Sequence, residues 1–400
     1  MPDRFDVIIS GGGPAGALAA YTLACQGVDV QLFEKQLFPR YKVCGAGLTH
    51  KIIREIPYDV QPVVETTVRK FLFSRKFEDV FERESGEPLI YCTMRDTLDQ
   101  FLLDKAASAG ARITFGEQVT GIFEEKDAVT VTTRKGKYSS KLVIGADGAS
   151  GTVTRAVGLK RDFMQGLAWE AELDVDNTSL ERFSQHVFLD WGSFPGGYGW
   201  MFPKQDHFSV GVGGPASLSK HMMDYYQQFL HHLKNQGVTV NRTRSLKSWP
   251  IPVKERPGRF STSLVMVTGD AAGLTDPLTG EGIYYAVKSG ILAGEAAVRF
   301  LKSKDSLNMY SQNVNNLLMP ELQEAMKIRN IFNTVPERIH HFVRDHDRAW
   351  RAFARILRGE RNYLDVKNGF GKWKPLWTAA SAVSGAVSSY RERKFRKAGF

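Results

Sequence analysis

An α/β fold is predicted: a doubly wound domain of parallel strands and helices, interrupted by an antiparallel β-sheet domain and followed by a helical extension. Three observations predict it. Residues 5–34 run strand, glycine-rich turn, helix, strand, about the length of one βαβ unit. Residues 163–253 alternate like antiparallel strands and are rich in aromatic side chains. Residues 264–302 return to strand, turn and helix, so the chain re-enters the first domain after leaving it.

Phe5–Ser10 is a short, apolar, β-branched run and reads as a strand. Pro14 then opens an alanine-rich stretch with good helix propensity, and 28–34 reads as the next strand. Residues 63–92 read as extended segments with charged turns. Residues 96–109 form an amphipathic helix, with Leu98, Phe101, Leu102 and Ala106 at helical spacing. Strands are expected over 112–133 and 137–144, and one helix near 217–235. A buried strand at 264–268 opens onto Gly269-Asp270, and a helix follows over 283–302. The remainder is helical and basic. These elements assign 1–60, 93–160 and 255–330 to the discontinuous first domain. Residues 61–92 and 161–254 go to the inserted β domain, and 331–400 to the extension.

Hydrophobic residues make up 42% and charged residues 24% of the 400, ordinary for a globular chain. No uncharged apolar run reaches the length of a membrane-crossing helix. The N-terminus has no signal-peptide pattern, so a cytoplasmic, reducing setting is expected. Cys25, Cys44 and Cys92 form no CxxC pair, which argues against zinc or a disulfide framework. The pairs His231–His232 and His340–His341 read as solvated helix histidines rather than metal ligands, since neighbours on a helix do not share a face. No metal site is expected. Residues 338–400 carry 15 Lys/Arg against 5 Asp/Glu, while the preceding 337 residues hold 38 of each sign. A basic excess confined to one end argues against a nucleic-acid enzyme, whose catalytic body would carry it.

The sharpest motif is Gly11-x-Gly13-x-x-Gly16 between strand and helix. Gly11 permits the tight turn, Gly13 lets the backbone approach a pyrophosphate, and Gly16 lets the helix pack on the sheet. The helix opened by Pro14 offers the free N–H of Ala15 and a positive dipole end. Glu34 ends the second strand, where an acid accepts from a ribose 2′-OH. A dinucleotide follows from the set. The later Gly269-Asp270, with Pro277 and Gly280-Glu281-Gly282 before the helix at Ile283, points to a flavin. There a carboxylate can accept from ribityl hydroxyls, and a helix start can face a flavin carbonyl. Asp147-Gly148 is a third fragment of the same kind.

Together these fragments resemble the three fingerprints of the FAD-dependent monooxygenase-like superfamily, with its glutathione-reductase-type FAD-binding Rossmann domain, over roughly residues 1–300. Two further segments resemble the geranylgeranyl reductases. One is Arg40-Tyr-Lys42-Val-Cys44-Gly45-Ala46-Gly47. The other is Tyr198-Gly-Trp200-Met-Phe202-Pro203-Lys204. The resemblance implies FAD held additionally by Lys35, Lys42, the Cys44–Gly47 turn, Arg95 and Val119. It also implies Cys44, Tyr198 and Trp200 as the residues nearest the chemistry. On a strand, Tyr198, Trp200 and Phe202 share a face, which suits either a plain core or a groove for a hydrocarbon chain. Cys44 reads either as a small buried thiol or as a redox or access gate.

The implied activity is reduction of C=C bonds in a hydrophobic isoprenoid by reduced flavin. Alternatives are a hydroxylase of the same superfamily, or a non-redox flavoprotein such as a cyclase or a membrane-bound assembly factor. Gly211-Val-Gly213-Gly214 lacks the helix and acid of a second dinucleotide unit. The electron donor is therefore transiently docked NADPH or a redox partner protein such as reduced ferredoxin. The end of the chain, with Trp373, Trp377 and a basic cluster over 391–397, reads either as a peripheral membrane contact on the cytoplasmic face or as a solvated basic helix.

Overall fold

The computed structural model describes residues 4–159, 163–369 and 374–398. At its centre lies a parallel sheet in the order Arg112–Phe115, Val30–Glu34, Arg4–Ser10, Lys137–Gly145, Val265–Val267. Lys137–Gly145 forks this sheet. Its second half pairs in parallel with Val265–Val267, and its first half pairs antiparallel with Val129–Thr133, which continues to Val119–Glu124. The expected strand region 112–133 is thus three strands, separated at Gly116 and Asp127. The segment that returns at 264–267 pairs beside the strand leading to Asp147, so the interrupted first domain closes on itself in one sheet.

The strands are nearly continuous runs of Val, Ile and Leu because both faces are covered. Val7, Ile8, Ile9, Leu142, Val143 and Ile144 have no exposed surface. Each such side chain contributes about 1.5–3 kcal/mol on burial. The helix Pro14–Ala24 presents Ala15, Ala19 and Thr22 to Gly290 and Gly294, which lets Ile283–Ser303 pack against it closely.

A second, seven-stranded sheet runs in the order Val240–Lys254, Phe163–Val175, Phe208–Pro215, Tyr198–Pro203, His186–Trp191, Lys70–Arg75, Glu78–Glu84. All its pairings are antiparallel except that of His186–Trp191 with Lys70–Arg75. Helix Met222–Asn235 covers one face. Thr66–Val68 and Ile90–Cys92 do not join this sheet. With Gly47–Thr49 they form a three-stranded sheet that ties the Cys44 turn to the rest of the fold.

Of the helices that follow, Asn308–Leu317 packs Tyr310 and Val314 into the first domain's core, and Asp347–Leu357 packs Trp350 and Ala354 against Phe71 and Phe73 of the second sheet. The last, Lys374–Ala398, packs on Met319–Thr334 through a stripe of buried serines, Ser381, Ser384 and Ser388. Trp377 donates to Glu324 Oε2 at 3.1 Å, so it faces the protein rather than an interface with lipid. Trp373 lies outside the described residues. Among the described residues, no helix is long and apolar enough to cross a membrane.

The histidine pairs need a correction. His232 and His340 are buried, because on each amphipathic helix one of two neighbours must turn inward. His232 packs against Phe77 and Phe188, and His340 Nε2 lies 2.8 Å from the Asp79 carbonyl oxygen.

Candidate active site

The glycine-rich turn is shaped by sterics. Gly11 has φ +106°, and a Cβ there would lie 2.4 Å from the Ala146 carbonyl oxygen. A Cβ on Gly16 would lie 1.9 Å from the Gly11 carbonyl oxygen. Both positions therefore exclude any side chain. Glu34 accepts from Gly12 N at 2.7 Å and from Gln36 N at 2.9 Å, so its carboxylate also fixes the turn it was expected to serve. Gly13 caps the helix without any side-chain partner, and the first turn holds no acid. The N–H groups and positive dipole end are left for a ligand.

One cationic group beside this turn is hard to foresee from sequence. Asp99, fully buried, is gripped by Arg95 at 2.7 and 2.8 Å and by Arg40 at 2.9 Å. The Arg40 guanidinium is thereby held near Gly13, with Nη1 buried and lacking a hydrogen-bond partner among the described residues. A free guanidinium N–H, open helix N–H groups and a side-chain-free turn fit a diphosphate. Arg95 lines the same cavity, although its bidentate bond goes to Asp99.

At the same end of the sheet, beside Gly11, Asp147 accepts from Val153 N at 2.9 Å, and burial raises its carboxyl above the usual range. Asp270 stands at the cavity wall. The loop after it is held by Asp276, which accepts from Leu278 N at 2.7 Å, Thr279 N at 3.2 Å and the Tyr363 hydroxyl at 2.8 Å. Glu281 turns its carboxylate to Thr49, at 2.8 Å, and to Lys51. The backbone of 280–282 is what remains to face a ligand. Gly282 opens helix Ile283–Ser303 with no side-chain cap and no acid in its first turn.

These parts line one cavity of about 830 Å³. Of the residues expected to hold the cofactor, Gly16 and Gly269 are absent from its wall. Gly16 acts through packing, and Gly269, at φ +59°, lies against Ala15 and Ala286. Lys35, Lys42, Val119 and Gly148 all line it. Lys42 Nζ stacks over the Trp249 ring at 4.3 Å. Burial, and then the charge of Arg95, holds its pKa below the ordinary value.

The Cys44 turn sits midway along the cavity. Cys44 N donates to Glu170 Oε1 at 2.6 Å, and Lys204 Nζ donates to the carbonyl oxygens of Gly45 at 2.8 Å and Thr93 at 2.7 Å. Beyond the turn stand Tyr198, Trp200 and Phe202, on one face of their strand and all on the cavity wall, with Met201 buried on the opposite face. The Tyr198 hydroxyl donates to the Thr279 carbonyl oxygen, joining this wall to the 276–282 loop. Gly211 and Gly213 make room for the Trp200 ring on the neighbouring strand rather than forming part of a nucleotide turn.

The far wall was not legible as such. Ile339, Val343, Phe353, Ile356 and Leu357 bring an apolar face to the cavity from the basic extension. Their helical spacing marks an amphipathic face and does not say what that face covers.

Comparison with known proteins places this arrangement. Residues 4–317 match the FAD binding domain family. An uncharacterised protein of Methanosarcina barkeri is 34% identical over 304 residues, 75% of this chain and 76% of that protein. A digeranylgeranylglycerophospholipid reductase of Methanocella arvoryzae is 29% identical over 357 residues, 84% and 89% of the two chains. A chloroplastic geranylgeranyl diphosphate reductase of Nicotiana tabacum is 28% identical over 309 residues, 73% and 66%. Among solved structures, a geranylgeranyl bacteriochlorophyll reductase-like protein from Thermoplasma acidophilum superposes with a TM-score of 0.74 at 24% identity, covering 86% of this chain and 92% of that one. The flavin-dependent brominase Bmp2 superposes at 0.73 with 22% identity over 98% and 100%. With a turn and arginine that fit a diphosphate, and a family match over most of its length, this chain belongs to the FAD binding domain family of FAD-dependent oxidoreductases.

Proposed function

We propose that this protein reduces C=C bonds of an isoprenoid chain. The observation that carries the reading is the continuity of the cavity. It runs from the nucleotide-binding turn, past Cys44 and the Tyr198–Trp200–Phe202 wall, to the apolar faces of the last helices. A long hydrocarbon needs such a dry channel, and a small polar substrate does not.

Bound FAD, once reduced, supplies the hydride. The chain supplies the rest. Gly13 and Arg40 hold the diphosphate, and Glu34 keeps their turn in place. Asp270 would accept from ribityl hydroxyls, and the helix start at Gly282 would face a flavin carbonyl. The aromatic wall orients the alkene and excludes water, and Cys44 stands where the two halves meet. Electrons enter from NADPH or from a ferredoxin-like partner. The substrate's home is the bilayer, which the basic segment 391–397 approaches peripherally.

The test is anaerobic. Holoenzyme reduced with dithionite is mixed with geranylgeranyl diphosphate or a geranylgeranylated lipid. Flavin reoxidation with a product heavier by two hydrogens per double bond is the expected result. Flavin that stays reduced until oxygen is added, and then yields a hydroxylated product, makes the protein a hydroxylase. An isomeric product with flavin still reduced makes it a non-redox catalyst.

A further inference from the structure

Behind the Cys44 turn lies a line of ionisable side chains that neither cofactor binding nor the aromatic wall uses. Glu170 and Glu172 alternate along Phe163–Val175 and so share a face of that strand. Met164, Gly166 and Ala168, on the same face, line the cavity, so the two carboxyls continue its wall behind the turn. Glu170 has no exposed surface and Glu172 keeps only 4%.

The contacts run outward in order. Cys44 N donates to Glu170 Oε1 at 2.6 Å. The Tyr41 hydroxyl lies 3.4 Å from Oε1 of both Glu170 and Glu172. Glu172 Oε2 is 3.1 Å from His207 Nε2, within ion-pair range though off the line of a hydrogen bond. His207 Nδ1 lies 2.5 Å from Asp206 Oδ1, and the Asp206 side chain is 71% exposed. The second oxygens of Glu170 and Glu172 have no hydrogen-bond partner among the described residues. Two buried carboxyls bridged by one hydroxyl repel each other when both are charged, which favours a proton on Glu170.

We infer that Asp206, His207, Glu172, Tyr41 and Glu170 form a proton relay from solvent to the cavity at Cys44. The inference rests on the reductive reading above, because each alkene reduced takes one hydride and one proton. As the π bond breaks, the hydride forms one C–H bond and the proton of the Cys44 thiol, whose S–H bond breaks, forms the other. The Glu170 O–H bond then breaks to replace that proton. Tyr41 passes its own proton to Glu170 and takes one from Glu172. His207 reprotonates Glu172 and recovers a proton from water beside Asp206. All electrons come from the reduced flavin.

The surroundings favour a loaded relay near neutrality. Burial, and then the charge of Glu172, pushes Glu170 up to about 7, against the Cys44 amide, Lys204 and Lys42. Burial lowers His207, but the neighbouring Glu172 and Asp206 carboxylates outweigh it and leave its pKa raised. The other groups facing this line are Ser209, Tyr226, Arg244 on Asp206, and Lys247 over the Tyr41 ring at 4.7 Å.

The experiment is single-turnover reoxidation of the reduced holoenzyme by a geranylgeranylated lipid, across pH and in heavy water, for wild type, E170Q, Y41F and H207Q. The side-chain carbonyl oxygen that E170Q introduces still accepts from the Cys44 N–H, so the turn is kept. E170Q is expected to slow reoxidation about 100-fold, the lower end for a lost acid–base group, with FAD binding unchanged. H207Q is expected to act only above neutral pH and to be rescued by acid. Rates for E170Q and Y41F within about threefold of wild type, with the same pH profile, overturn the relay. Wild type that never reoxidises with the lipid overturns the reductase reading instead. The relay is then judged by infrared spectroscopy: a protonated-carboxyl band that titrates near neutrality and vanishes in E170Q supports it, and absence of the band overturns it.

Discussion

The Tyr363 hydroxyl donates to Asp276 Oδ2 at 2.8 Å, with both side chains buried, and so ties the C-terminal extension to the 276–282 loop on the cavity wall. The other carboxylate oxygen is committed to Leu278 N and Thr279 N. Tyr363→Phe leaves Oδ2 without its donor on a carboxylate that keeps only 1% of its surface exposed. A hydrogen bond to a charged group contributes about 1.5–3 kcal/mol, so chemical denaturation should report a loss in that range. An unchanged midpoint and slope would show that the extension is anchored elsewhere.

Gly16→Ala tests the turn. Its Cβ would lie 1.9 Å from the Gly11 carbonyl oxygen, and the contact is backbone, which cannot step aside. The helix start must shift away from the diphosphate position. The variant should purify without the yellow of bound FAD and fail to take it up on addition. A variant that purifies yellow would mean that the turn adjusts and that Arg40 and Asp270 suffice for binding.

The parts of the site legible in the sequence were those whose chemistry is local. Gly11–Gly16, Glu34 and Gly280–Gly282 announce themselves because turn, helix start and acid lie in short registers. The aromatic wall was legible as a face through strand alternation, though the same alternation describes a plain core. Arg40 stood inside a recognised segment, but its place at Gly13 depends on Asp99, a residue on a distant helix. The Glu170 line was illegible for the same reason. It joins positions 41, 170, 172 and 207, brought together only by sheet pairing and by the folding back of the Cys44 loop. His232 and His340 were misread because adjacency says that two histidines diverge, without saying which one faces in.

His232 gives a pH prediction. Burial lowers its pKa to about 4 in the folded protein, against 6.5 ordinarily. Between those values the unfolded chain binds more protons, so stability falls as pH drops from about 6.5 to about 4. Unscreened, the shift corresponds to about 3 kcal/mol, and solvent screening at this partly enclosed site leaves on the order of 2 kcal/mol. His232→Phe keeps an aromatic ring against Phe77 and Phe188 and removes the titration. Denaturation at a series of pH values should show the variant losing less stability than wild type across that window. Parallel curves would mean that His232 reaches water in the folded state.

Trp200→Ala decides between a wall that merely packs and a wall that holds substrate. The indole is 7% exposed and lies over Gly211, whose Cβ would fall 2.3 Å from the ring. Removing it costs about 3 kcal/mol, the lower end for a large aromatic, since one side of the ring already borders the cavity. A packing role predicts that loss and nothing else once the protein is assayed well below its melting temperature. A substrate-holding role also predicts a raised KM for a geranylgeranyl substrate with FAD affinity unchanged, because the ring lies beyond the Cys44 turn from the nucleotide. Trp200→Phe should restore most of the KM by replacing an aromatic face. A KM untouched in the Ala variant would return this strand to the core and leave the last helices as the sole guide for the hydrocarbon.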